Sequence, residues 1–187
     1  MEKSDAYEVA PLSTKNIKDF ADKIRNITSV FGYVNQNGKF DIVRLLEHGN
    51  LSVPGSNNQS SPLTLEVVED NTLPNAEAMT FPDGTIKVRE SVYESAVKND
   101  GRSRFTLAHE LFHALVHCKQ FAFCRQINNE TKIYQNSEWQ ADMFAGHLLF
   151  PDELVKEYEN LPEEEVTVKL GISKTVTRIR RTNYAKN

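Results

Sequence analysis

The chain has 187 residues, 39% of them hydrophobic, and a formal net charge of −4. That is enough apolar material for one core and too little charge imbalance to draw the chain to nucleic acid or an anionic membrane. Two cysteines make no disulfide scaffold; no N-terminal apolar run reads as an export signal and no segment nears the ~18 apolar residues that span a bilayer, so a reducing cytosol is the expected compartment.

Ile17, Phe20, Ala21, Ile24, Ile27 and Phe31 recur at helical spacing behind a capping Ser13, which predicts a helix over 13–31. Phe40 to Leu46 predicts a short second helix ended by Gly49. Residues 52–62 are rich in Ser, Asn, Gly and Pro and read as a loop or disordered link. Leu63 to Val68 and Ala76 to Phe81 read as strands. Pro82-Asp83-Gly84 is a turn, and Thr85 to Arg89 alternates as a returning strand. A short helix near Ser91–Val97 leads through Asp100-Gly101 into a longer helix starting near Arg104, with Ser103 as its cap. A further helix starts at Glu138, capped by Ser137, and stops before Pro151. Beyond it, an acidic stretch (152–165) gives way to a basic one carrying Lys169, Lys174, Arg178, Arg180, Arg181 and Lys186. Two helices joined by Gly171-Ile172-Ser173 there imitate a helix-turn-helix, which opens a DNA-binding reading of residues 163–183 beside the plainer one of a solvated tail. Strands followed by helices define an α+β chain with a small antiparallel sheet.

The chemistry lies in His109-Glu110-Leu111-Phe112-His113. On a helix the two histidines sit one turn apart on one face, so both imidazoles reach one metal ion, and Glu110 lies beside them to act on a water. Ala108, Leu111, Phe112 and Leu115 form the apolar stripe that would hold this helix in the core. Catalytic zinc takes three protein ligands. His117 lies two turns, about 12 Å, from His109, too far to share an ion with it. Val116 and Lys119 stand where a metzincin needs a glycine and a third histidine. The expected third ligand is Glu138, on the next helix, where Ala141 and Ala145 permit close approach; Asp142, one turn on, would accept the outer N–H of a liganding imidazole. His147 falls on the opposite side of that helix and reads as a packing or surface residue, and Cys118 and Cys124 read as free thiols.

With these residues placed, the chain resembles the ImmA/IrrE family of metallo-endopeptidases. The resemblance rests on residues 104–117 (RFTLAHELFHALVH), on Glu138, Ala141, Asp142, Phe144 and Ala145, on Leu148-Leu149-Phe150-Pro151, and more weakly on Leu170-Gly171-Ile172-Ser173. It is strong over 102–152, weaker to 181 and slight in the first sixty residues. Asp142 stands where the family often has asparagine, which brings the pattern nearer to thermolysin-like gluzincins. The resemblance implies a single domain over 1–187: an N-terminal helical segment and loop (1–62), a sheet with the metal-site helices (63–150) and C-terminal helices (151–187), with a zincin-like core. It also implies a cytoplasmic zinc protease that cleaves a helix-turn-helix repressor or antitoxin in a stress response or mobile element.

In that chemistry Glu110 is the general base, and an oxyanion donor is expected from Tyr134, His117 or Tyr158. Substrate held as an added strand would dock on an edge supplied by Thr85–Arg89 or Ala76–Phe81. A competing expectation is a zinc-stabilised sensor that sequesters a repressor without cutting it.

Overall fold

The computed structural model describes residues 6–54, 60–118 and 125–186. A two-residue strand, β1 (Tyr7–Glu8), precedes α1 (Thr14–Ser29), whose N-cap Ser13 accepts the Asn16 N–H as expected. Ile17 and Ala21 of α1 are fully buried, with Phe20 and Ile24 packed beside them. Ile27, on the outer face of α1, and Phe31, two residues past its end, stand largely in solvent. α2 (Ile42–His48) starts at Asp41, whose carboxylate accepts the Arg44 N–H, and closes at Gly49.

The stretch read as a loop behaves differently at its ends. β2 (Ser52–Pro54) and β3 (Ser60–Pro62) pair antiparallel. Val53, the lone aliphatic residue there, is buried and ties the ladder to the core, a contact that the polar composition conceals. Residues 55–59 lie outside the described residues.

β4 (Thr64–Val68), β5 (Ala78–Thr80) and β6 (Thr85–Arg89) form the main sheet in the order β4-β6-β5. β5 and β6 make the expected hairpin around Pro82-Asp83-Gly84. β4 runs parallel to β6, so the sheet is mixed rather than wholly antiparallel. The chain leaves β4 through a tight turn at Asp70–Thr72 and crosses to the far edge before β5. β6 is therefore central, with Ile86 and Val88 fully buried, and it cannot offer the edge proposed for it from its sequence; β5 can.

α3 (Glu90–Val97) leads into α4 (Gly101–Phe112). The cap of α4 is Asp100, not Ser103. The Asp100 carboxylate accepts both the N–H and the hydroxyl of Ser103, which sits within the first turn. Gly101 is required by contact: a Cβ there would lie 2.2 Å from the backbone of Ile172. α4 continues into a wider, π-type turn at His113–His117, where the Cys118 N–H donates to the His113 carbonyl. β7 (Arg125–Gln126) then pairs with β1, and α5 (Ser137–Leu149) follows a turn at Ile133–Gln135. Its cap is Asn136, one residue before the expected Ser137, accepting the N–H groups of Glu138 and Trp139. Three helices close the chain: α6 (Asp152–Glu157), α7 (Glu163–Leu170) and α8 (Lys174–Tyr184). Gly171, at φ +60°, ends α7 in the left-handed conformation that side chains resist.

α5 is the axis of the α+β fold, packed on α1 and on α4. The Phe112 and Phe144 rings meet at 4.9 Å between centroids, and Phe20 reaches Phe144 at 5.6 Å. Ala141 and Ala145 are wholly buried and let the neighbouring helices come close. Among the described residues no helix is long and apolar enough to cross a membrane.

Candidate metal centre

The antiparallel approach of α4 and α5 brings three ligating groups to one point. His109 and His113, one turn apart on α4, face the first turn of α5, where Glu138 sits. His109 Nε2 is 2.9 Å from His113 Nε2 and 3.2 Å from one Glu138 oxygen, and His113 Nε2 is 3.4 Å from the other. One atom from each residue lies within 4.8 Å of the other two. Ligand atoms on a tetrahedral zinc, with bonds near 2.0–2.1 Å, are about 3.3 Å apart, so the three need move little to share an ion.

The surrounding hydrogen bonds orient the rings. His109 Nδ1 faces Asp142 Oδ1 at 2.9 Å, so it carries the proton and leaves Nε2 as a lone pair. The orientation of His113 follows from further away. Gln140 donates its amide N–H groups to the carbonyls of Ala10 (2.9 Å) and Tyr134 (2.8 Å), which turns its Oε1 toward His117. His117 Nε2–H donates to that oxygen at 2.9 Å. His117 Nδ1 is then the acceptor for His113 Nδ1–H at 3.0 Å, and His113 Nε2 is left as a lone pair. Among the described residues, two imidazole lone pairs and a carboxylate thus converge. Such a donor set repels itself unless a cation or a proton sits among its members, and it fits a divalent metal ion.

The charges agree. Burial lowers the affinity of His109 for a proton, but the carboxylates of Asp142 and Glu138 outweigh it and push its pKa up to about 10. Burial also works against the Glu138 carboxylate, and contact with the two histidines overcomes it, holding the group below the usual carboxylate range. Both shifts express a demand for positive charge at this point. His117, buried and next to His113, is pushed down to about 4 and stays a neutral link.

Glu110 lies beside the three. The Thr80 hydroxyl, on the β5 edge, lies 2.7 Å from Glu110 Oε2 and donates to it; the Glu110 carbonyl is a second neighbour at 3.0 Å. Thr80 and Gln140 make contacts around the centre that local reading did not reveal. Each acts across at least twenty residues of sequence, and neither stands at a telling spacing from the motif.

The structure redirects several expectations. His117 is fully buried with its N–H committed to Gln140, so it supports His113 rather than an oxyanion. The Tyr158 hydroxyl is spent on the Asn37 carbonyl at 2.9 Å, with the ring buried at the end of α6. Tyr134, on the turn before α5, keeps part of its side chain in solvent. His147 is deep in the core beside Arg180 and Asp152. Cys118 is buried, with Sγ donating to the Ala114 carbonyl, and Cys124 lies outside the described residues. The basic residues of α8 are mostly paired within the chain, Arg180 in the core and Lys174 and Arg178 at the surface. Lys174 pairs with Glu164, Arg178 with Glu163 and Arg180 with Asp152, while Arg181 donates to the carbonyls of Tyr158 and Leu161.

A helix bearing two histidines and a glutamate, a facing helix with two further carboxylates and a sheet edge alongside fit the architecture of a metallopeptidase. The family model of the IrrE N-terminal-like domain, peptidase family M78, matches residues 67–181, more than half of the chain, and the protein belongs to that family. The matched span runs from β4 to α8 and contains every residue of the centre. No curated protein and no solved structure was found to match the chain significantly.

Proposed function

We propose that the protein is a zinc-dependent endopeptidase in which His109, His113 and Glu138 hold the metal and Glu110 is the general base. The observation that carries this reading is the convergence of the two Nε2 lone pairs and the Glu138 carboxylate, with Glu110 next to His109 in the chain and close enough to act on its charge. When bound, zinc supplies Lewis acidity, making a water more acidic and a peptide carbonyl more electrophilic. Glu110 accepts the water's proton as the C–O bond forms and returns it to the amide nitrogen as the C–N bond breaks. Thr80 holds one Glu110 oxygen and so aims the other. Tyr134 is the hydroxyl we assign to the developing oxyanion.

β5 gives a physical basis for holding substrate. Ala78 and Thr80 lie opposite Val88 and Ile86, between the Phe81–Thr85 and Glu77–Arg89 hydrogen bonds. In an antiparallel ladder their N–H and C=O groups therefore point away from β6. An extended peptide can pair with them and lie across Glu110.

The resemblance to ImmA/IrrE proteins supports a helix-turn-helix repressor or antitoxin as the substrate. The test is incubation of the zinc-loaded protein with the repressor encoded beside it. Glu110→Gln should keep zinc and fold and lose roughly 10²–10⁴ of the cleavage rate. Full cleavage by that variant would remove Glu110 from the mechanism. An intact, stable complex with the unmodified protein would favour sequestration instead.

A further inference from the structure

A cavity of about 600 Å³ opens directly beside the candidate centre, between α4, α5 and α8. Its walls are Phe105, Trp139, Met143, Val176 and Ile179, and Asp142 forms its border with the metal site. The placement follows from helix geometry. Phe105 lies one turn before His109 on α4, and Asp142 lies one turn after Glu138 on α5. The seam between the two helices therefore runs from the ligands into the cavity within one turn, about 5–6 Å. That is the reach of a side chain on a residue adjoining a carbonyl held at the metal. The Phe105 ring stands 6.5 Å from the His109 ring, so the two spaces share a wall. Ile179 is 52% exposed at the mouth, an aliphatic side chain left in water on a helix whose other outward residues are mostly polar or charged.

We propose that this cavity receives a large apolar side chain, aromatic or branched aliphatic, from the residue next to the scissile bond. The proposal rests on the metallopeptidase reading and adds the class of sequence the enzyme prefers. Its lining is mainly apolar and aromatic, with Arg102, Asp142, Arg180 and Asn183 among it, and its size lies within the range of side-chain and small-ligand pockets. Such a pocket gains from burying a ring against its apolar walls.

The test uses three probes on the zinc-loaded full-length protein. Acetohydroxamate offers only a metal-binding group. 3-Phenylpropionohydroxamate adds a ring on a short arm. N-acetylphenylalaninamide offers the ring without the metal-binding group. Affinities come from calorimetry, and location comes from the fluorescence of Trp139, the single tryptophan of the chain and part of the wall. The phenyl hydroxamate should bind at least tenfold more tightly than acetohydroxamate and perturb Trp139. Ile179→Arg and Thr175→Phe, both on the exposed side of α8, should cut that advantage to under twofold and leave acetohydroxamate binding and zinc content unchanged. Equal affinities in the unmodified protein, or an advantage that survives both substitutions, would overturn the subsite while leaving the metal reading intact. If acetohydroxamate does not bind, the metal reading fails instead. In that event a saturable Trp139 response to N-acetylphenylalaninamide, abolished by Ile179→Arg, upholds the pocket, and its absence overturns it.

Discussion

α5 carries a histidine-carboxylate cluster at each end, and the two ends resolve the same residue types in opposite ways. At its start, Glu138 and Asp142 meet His109 and His113. At its end, His147 meets Asp152, but here the chain supplies its own cation. Arg180 donates to His147 Nε2 at 3.2 Å, to Asp152 and to the Phe150 carbonyl, and Lys18 reaches Asp152 at 2.7 Å from α1. The proton affinities record the difference. The carboxylates around His109 push it up to about 10, whereas burial and then the Arg180 charge push His147 down to about 4. A buried histidine beside a carboxylate is a structural feature where a guanidinium fills the gap between them. It is a metal-site candidate where lone pairs converge and, among the described residues, no side-chain cation enters.

The comparison can be broken most decisively at the first cluster. Glu138→Ala removes one of three ligands and should weaken zinc binding by roughly three orders of magnitude, read by competition with a chromophoric chelator. Tight stoichiometric zinc in that variant would place the third ligand elsewhere. Arg180→Met strikes the second cluster. It strands Asp152 with Lys18 alone and should cost about 3 kcal/mol of stability in denaturant titrations, with zinc stoichiometry unchanged; loss of zinc there would mean that the two ends are not independent.

Smaller effects sharpen the contrast. His117→Phe keeps the volume and removes the acceptor for His113 Nδ1–H, so zinc affinity should fall about 10–100-fold in a protein that stays folded. Replacement by Gln, which restores an acceptor, should recover part of the loss. The smallest effect concerns pH. His147 has a folded-state pKa near 4, below the ordinary value, so the unfolded chain binds more protons between about 4 and 6.5. Its contribution to stability is complete above about pH 6.5 and declines as pH falls toward 4. His147→Gln should flatten that slope by about 1 kcal/mol per pH unit within this window. An unchanged slope would show that His147 is not held neutral.

How far the sequence revealed these two clusters follows from the range of the interactions. His109, Glu110 and His113 were legible because helical spacing alone puts them together, and Glu138 because a carboxylate stood in the first turn of a helix with small residues beside it. Whole elements were legible where a cap or turn residue marked them, as at Ser13, Gly49 and Gly84, although Asp100 and Asn136 displaced neighbouring serines as caps because their side chains also reach the first-turn N–H groups. Thr80, Gln140 and Arg180 were not legible in their roles. Each works through a partner on another element, 23–33 residues away, and local pattern holds no record of it. The same holds for the parallel pairing of β4 and for the β2–β3 ladder hidden in a polar stretch.

The central claim is that two imidazoles and one carboxylate hold a single divalent cation. X-ray absorption at the zinc edge on the purified protein, combined with elemental analysis, tests it most directly. The account predicts one zinc per chain with two imidazole nitrogens at about 2.0–2.1 Å and oxygen ligands at about 2.0–2.2 Å. A site that takes up no zinc, or one with sulfur at about 2.3 Å in its first sphere, would contradict it.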